Sequence, residues 1–82
     1  MKEYFSELNN VLNAYTFGDL FEAMQAVELC DQLITEEKIP EQELIQIRNL
    51  KSILESIILQ GSSDEKEAAL LQIKNNLAEG KE

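Results

Sequence analysis

The chain has 82 residues, which is the size of one small domain with an adequate but thin core. Sixteen acidic residues against seven basic residues give a net charge of −9, and the chain contains no histidine. Because phosphate groups are bound by clustered Lys and Arg, this charge excludes nucleic acids and anionic membrane surfaces as expected partners.

The composition predicts helices and an intracellular location. Three Gly and one Pro leave few turn signals, which favours long helices. The single cysteine, Cys30, permits no internal disulfide, so the cysteine count gives no sign of a secreted scaffold. The first residues, MKEYFSEL, lack the apolar region of a signal peptide, and no apolar run approaches the roughly 20 residues of a membrane span. We therefore expect a soluble, cytoplasmic protein.

The first predicted helix covers about residues 2–15, where apolar side chains recur at i, i+4, i+7, i+8 and i+11. Asparagines occupy the opposite face. Asn is a poor helix former in the interior of a helix, so this helix depends on tertiary packing.

The second predicted helix covers about residues 18–37, after a capping-box pattern of Thr16 followed by Asp19. Its apolar residues cover about 220° of the circumference, which is wider than a surface helix needs. Small side chains recur at Ala23, Ala26 and Cys30, where another helix can approach closely. The wide apolar arc predicts an interface, most simply a homodimer through this helix or the next.

The same segment is strongly acidic, because residues 19–37 contain six acidic residues and no basic residue. Such a run is either a solvated polar face or a docking face for a basic partner. The candidate partner-binding acids are Glu22, Glu28, Asp31 and Glu36.

The third predicted helix, about residues 40–60, is the element on which we expect the others to pack. It opens at Pro40, ends before Gly61 and carries one apolar stripe. The members of the stripe are Ile47, Leu50, Leu54 and Ile57. Ile45 and Leu59 lie off this stripe and complete the candidate partner-binding set, while Phe21 and Leu71 are similar strays on other helices.

The fourth predicted helix covers about residues 63–79, with Ser62 and Glu65 as a second capping-box pattern. Residues 80–82 are expected to be a frayed tail. The predicted fold is therefore all-α: a small antiparallel four-helix bundle that forms one domain over residues 1–79.

Catalytic chemistry finds little support in the sequence. Without histidine, the commonest general base and metal ligand is missing. Cys30 lies on an apolar helix face with no partner base, which indicates a buried structural thiol. Four glutamates flank the loop between the second and third helices, but they lack the alternating Asp/Asn ladder and central Gly of a calcium loop. We expect no enzyme activity, no cofactor and no metal.

These observations predict a non-catalytic protein–protein interaction module that acts on a basic protein partner. Its form would be an acidic inhibitor or antidote, or a small adaptor or chaperone. The alternative is a self-associating structural module whose charge serves only solubility, and an enzyme subunit that uses carboxylates and a metal ranks third.

Overall fold

A computed structural model describes residues 3–36 and 38–79, and this part of the chain forms four α-helices. The all-α, four-helix prediction is confirmed. A single 3₁₀ turn precedes the first helix. The elements are the 3₁₀ turn Glu3–Phe5, α1 Ser6–Ala14, α2 Leu20–Ile34, α3 Glu41–Gln60 and α4 Asp64–Glu79. The predicted tail 80–82 and the acidic residue Glu37 lie outside the described residues.

The register of contacts shows that α2 and α3 run antiparallel. Asp31, late in α2, pairs with Lys51 in the middle of α3. Met24, early in α2, lines the same groove as Leu59 near the end of α3. The fourth helix packs mainly on α3 and more narrowly on α1.

The core is centred on α3, as the sequence predicts. Its stripe residues are fully buried, and so are the small side chains that α2 turns toward it. Because small side chains allow close approach, α2 and α3 share the most extensive contact in the bundle. Each fully buried Leu or Ile contributes about 1.5–3 kcal/mol of transfer free energy, so this stripe is a main source of stability.

The cap of α2 is Asp19 and not Thr16, which corrects the predicted start of this helix. A carboxylate oxygen of Asp19 accepts a hydrogen bond from the backbone N–H of Glu22 at 3.3 Å. The carbonyl of Thr16 accepts from the N–H of Asp19 at 2.9 Å and closes a turn. Gly18, inside that turn, has φ +74°, which a helix cannot contain. The helix therefore begins at Leu20.

The cap of α4 is Ser63, one residue later than predicted. The hydroxyl of Ser63 accepts from the N–H of Lys66 at 3.3 Å. The hydroxyl of Ser62 instead donates to the carboxylate of Glu67, which also accepts from the hydroxyl of Tyr15 at 2.5 Å. This polar cluster draws Ser62 away from the helix terminus and ties the end of α1 to the start of α4.

No helix within residues 3–36 and 38–79 combines the length and the apolar character that crossing a bilayer requires.

Candidate functional site

An open groove of about 490 Å³ lies between α2 and α3, and we call it the α2–α3 groove. Apolar side chains and carboxylates share its walls. The lining residues are Met24, Val27, Glu28 and Asp31 from α2, with Glu55, Ile58 and Leu59 from α3.

Local helix geometry explains why the groove forms here. The smallest side chains of α2 lie at its contact with α3, whereas larger ones stand to the side of that contact. Met24 and Leu59 therefore remain 58% and 83% exposed, one on each wall. Val27 and Ile58 are half-buried beneath them and pack against the core. The result is an apolar floor between two helices that are each anchored in the core by buried side chains.

The charge of the groove is negative and only partly compensated. Lys51 contacts Asp31 at 2.5 Å, and this hydrogen bond is the main reason that the pKa of Lys51 is raised. The carboxylate of Glu55 adds a smaller upward effect on the same pKa. The carboxylate of Glu28 has no ion-pair partner among the residues that the structure describes. Three carboxylates thus face one ammonium group.

The structure brings three of the six candidate residues together, namely Glu28, Asp31 and Leu59. Ile45 is 48% exposed but lies 14 positions before Leu59 on α3, about 21 Å away along the helix axis. It does not belong to the groove.

The other two candidate acids lie elsewhere on α2. Glu22 is half-buried in the first turn, where its backbone N–H bonds to Asp19. Glu36 lines a different depression on the α1 side of α2, together with Glu7. Glu28 also borders a polar depression on that side, so it stands on the ridge between two grooves. The acids of α2 therefore do not form one continuous face.

The sequence analysis did not single out Glu55, and it placed Met24 and Val27 in the wide apolar arc of the second helix, for which it predicted an interface. The spacing of Glu55, Ile58 and Leu59 could have indicated that they share one wall, because they lie within about one helical turn of each other. This spacing marks only one wall. The helix that forms the opposite wall is determined by the tertiary fold, so the sequence alone did not predict the groove.

Glu43 lies in the first turn of α3, where the helix dipole favours its negative charge, and the sequence did not predict that its side chain would be buried. Its side chain is only 5% exposed, and the hydroxyl of Tyr4 donates a hydrogen bond to its carboxylate. The spacing gave a signal, because Glu43 precedes Ile47 and Leu50 by four and seven residues on the same stripe.

Cys30 is a buried structural thiol, as predicted. Its side chain is inaccessible to solvent. Burial raises the pKa of the thiol to about 12, and the nearby carboxylate of Asp31 adds to the shift. The thiol is therefore protonated and unreactive at neutral pH, since the thiolate is the nucleophilic form.

The groups that the groove presents are apolar side chains and carboxylates. Among the described residues, no three Asp, Glu or Cys side chains converge in a way that could hold a metal ion. Comparisons of the chain with protein-family models, with curated proteins and with solved structures find no match in any of the three.

Proposed function

We propose that the protein is a non-catalytic interaction module that binds a basic protein partner through the α2–α3 groove. In this role it acts as an inhibitor or antidote of that partner, or as a small adaptor or chaperone for it, in the cytoplasm. The observation that carries the proposal is the combination of exposed apolar side chains and incompletely paired carboxylates in one groove.

The apolar part of the groove supplies the driving force for binding. Met24 and Leu59 are large, exposed and set over an apolar floor. Leu20 and Phe21 are also exposed, one turn before Met24 on α2, so the apolar surface extends beyond the groove. Covering apolar surface is favourable by about 25 cal/mol per Å², and contiguous patches of this kind mark interaction sites.

The carboxylates supply selectivity for a basic partner. A cluster of one sign raises the association rate of an oppositely charged partner and disfavours an acidic one. Individual exposed ion pairs contribute only about 0–1 kcal/mol each, so the expected effect is on rate and on partner choice.

The residue types support a role without catalysis. The sequence contains no histidine, and the one thiol is buried and protonated. Exposed groups at the groove are carboxylates and apolar side chains, which serve recognition directly. A lone reduced thiol also suits the cytoplasm, where small domains do not depend on disulfides.

Self-association is the second candidate function, because apolar side chains are also exposed outside the groove. Phe17, Phe21 and Leu71 are exposed in the α1–α2 turn, on α2 and on α4. A structural module that assembles with its own copies would cover such residues.

Charge reversal at Glu28 tests the basic-partner function. Immobilised wild-type protein, Glu28→Lys and Glu41→Lys are compared for capture of proteins from the source cell. Glu41 is exposed and lies 14 positions before Glu55 on α3, so its reversal gives the same net charge away from the groove. We expect a basic protein that wild type and Glu41→Lys retain and Glu28→Lys loses. Equal retention by all three proteins, or loss by both variants, contradicts a local role for the groove.

Kinetics with the captured partner add a second test. The association rate should fall as salt rises, because the Debye length shortens from about 30 Å at 0.01 M to about 8 Å at 0.15 M. The double variant Glu28→Lys/Asp31→Lys should slow association further. Asp31 also holds Lys51 in an ion pair, so circular dichroism and thermal unfolding must first show that this variant keeps the fold.

A further inference from the structure

We infer that the occupant of the α2–α3 groove is a basic amphipathic helix of the partner. This inference rests on the proposed function and adds the secondary structure of the partner segment that binds in the groove. Three features carry it: the shape of the groove, the distribution of its charges and the absence of an unpaired strand edge in the described residues.

The groove has the shape that a helix fills. Its walls are two antiparallel helices, and the stretch from Met24 to Asp31 on α2 covers about 10 Å, or two helical turns. A helix laid along two others inserts side chains at i, i+3 or i+4, and i+7 into the space between them. Met24 and Leu59 on the walls, with Val27 and Ile58 below, provide the apolar surface for such anchors.

An extended segment has nothing to pair with here. Extended peptides commonly bind by adding a strand to an open sheet edge, where main-chain hydrogen bonds supply the affinity. Residues 3–36 and 38–79 contain no β-strand, and the backbone N–H and C=O groups along both groove walls lie within helices. Recognition must therefore use side chains, as helix-in-groove binding does.

The charges of the groove match a helix that has basic flanks. Glu28 and Asp31 stand on the α2 wall and Glu55 stands on the α3 wall, with the apolar floor between them. An amphipathic helix with Lys or Arg beside its apolar face places a positive charge toward each wall. The long apolar stems of those side chains also cover Met24 and Leu59 while their charged ends reach the carboxylates.

A second copy of this chain fits the groove poorly. A two-fold dimer is isologous, so the same patch faces itself. Closing the groove in this way would set the acidic walls of the two copies, which carry Glu28, Asp31 and Glu55, against each other. Like charges held together oppose such a contact, whereas a basic helix relieves the same charge.

Peptide titration of the full-length, ¹⁵N-labelled protein tests the inference by NMR. Three peptides of about 14 residues, or four helical turns, are compared. One carries leucines on one helical face and lysines elsewhere, the second has the same composition in scrambled order, and the third has glutamate in place of lysine. We expect the amphipathic lysine peptide to shift signals of Met24, Val27, Ile58 and Leu59. The scrambled peptide should bind at least about tenfold more weakly, and the glutamate peptide should not bind.

Variants locate the binding site. Met24→Ser and Leu59→Ser should each weaken the lysine peptide at least about tenfold, as expected for anchors at the centre of an interface. Ile45→Ser is the control, because Ile45 is also an exposed apolar residue, on the same helix as Leu59, but lies outside the groove. Equal weakening by all three variants, or signal shifts confined to the α1 side of α2, overturns the inference.

The outcomes separate this inference from the proposed function. If the ordered and scrambled lysine peptides bind equally and Glu28→Lys weakens both, the inference of a helical occupant is overturned and a basic partner is supported. Equal binding of the lysine and glutamate peptides overturns both. If none of the peptides binds, the inference that a helix occupies the groove is overturned. The proposed function is then decided separately, by the capture experiment with Glu28→Lys. A dimer of the free protein that Met24→Ser dissociates also overturns the inference, because a second copy then closes the groove.

Discussion

Leu54 and Leu59 show how much the location of one residue type matters on a single helix. Leu54 is fully buried in the middle of the core, whereas Leu59 is 83% exposed at the groove. Leu54→Ala should lower the free energy of unfolding by about 2–5 kcal/mol, because it removes buried surface and leaves a cavity. Leu59→Ala should change it by no more than about 0.5 kcal/mol. Urea midpoints of both variants provide the measurement, and equal losses would contradict the described orientation of α3.

Cys30 should make the fold sensitive to alkaline pH. The folded protein raises the pKa of its thiol from 9.0 to about 12, so the native state holds this proton more tightly than the unfolded chain does. The resulting stability is fully present below pH 9 and is lost as the pH rises toward 12. At about 1.4 kcal/mol per pH unit, the total is on the order of 4 kcal/mol.

Cys30→Ala isolates this effect from other titrations. At neutral pH the variant should be less stable by about 1–2 kcal/mol, because a buried sulfur atom is lost. Between pH 9 and 12 its free energy of unfolding should fall less steeply than that of wild type. Tyr15, whose pKa is also raised by burial and by its hydrogen bond to Glu67, titrates in both proteins and cancels in the comparison. Parallel pH profiles in reducing buffer would show that the thiol is not the group responsible.

At the scale of elements, the start of α2 depends on a single cap. Asp19→Ala should lower the free energy of unfolding by about 0.5–2 kcal/mol, because the carboxylate no longer accepts the N–H of Glu22. Asp19→Asn should stay close to wild type, since Asn is an equally good cap. Thr16→Ala should have little effect, because Thr16 contributes its backbone carbonyl to the turn. Thermal unfolding monitored by circular dichroism measures all three variants. A larger loss of unfolding free energy for Thr16→Ala than for Asp19→Ala would support Thr16 as the cap, as the sequence suggested.

At the scale of the whole molecule, the net charge of −9 makes salt a test of what covers the groove. Salt weakens attraction to a basic partner, but it also weakens the repulsion between two acidic copies. We therefore expect sedimentation equilibrium to show monomer at low salt. The homodimer that the sequence predicts, if it uses the α2–α3 groove, should strengthen as salt rises. A dimer that is tightest at low salt would mean that its interface brings opposite charges together elsewhere on the surface.

The sequence by itself determined the four helices, the central position of α3 and the identity of most core residues. Each follows from local information: apolar spacing near 3.6 residues selects helices, and the uninterrupted stripe from Ile47 to Ile57 marks the most buried one. Exposure of Phe21, Ile45, Leu59 and Leu71 was also predictable, because each lies off the stripe of its own helix.

Only the tertiary structure decided where those exposed and acidic residues lie relative to one another. Glu28, Asp31 and Leu59 meet because α2 and α3 pack closely and antiparallel, while Ile45 sits at the other end of the same helix. The pairing of Lys51 with Asp31 likewise depends on the rotation of each helix about its axis. Periodicity records which face of a helix is apolar, but it holds no information about which neighbour that face meets or at what register. A groove shared by two helices is a property of that register, which is set by the summed packing of the whole core.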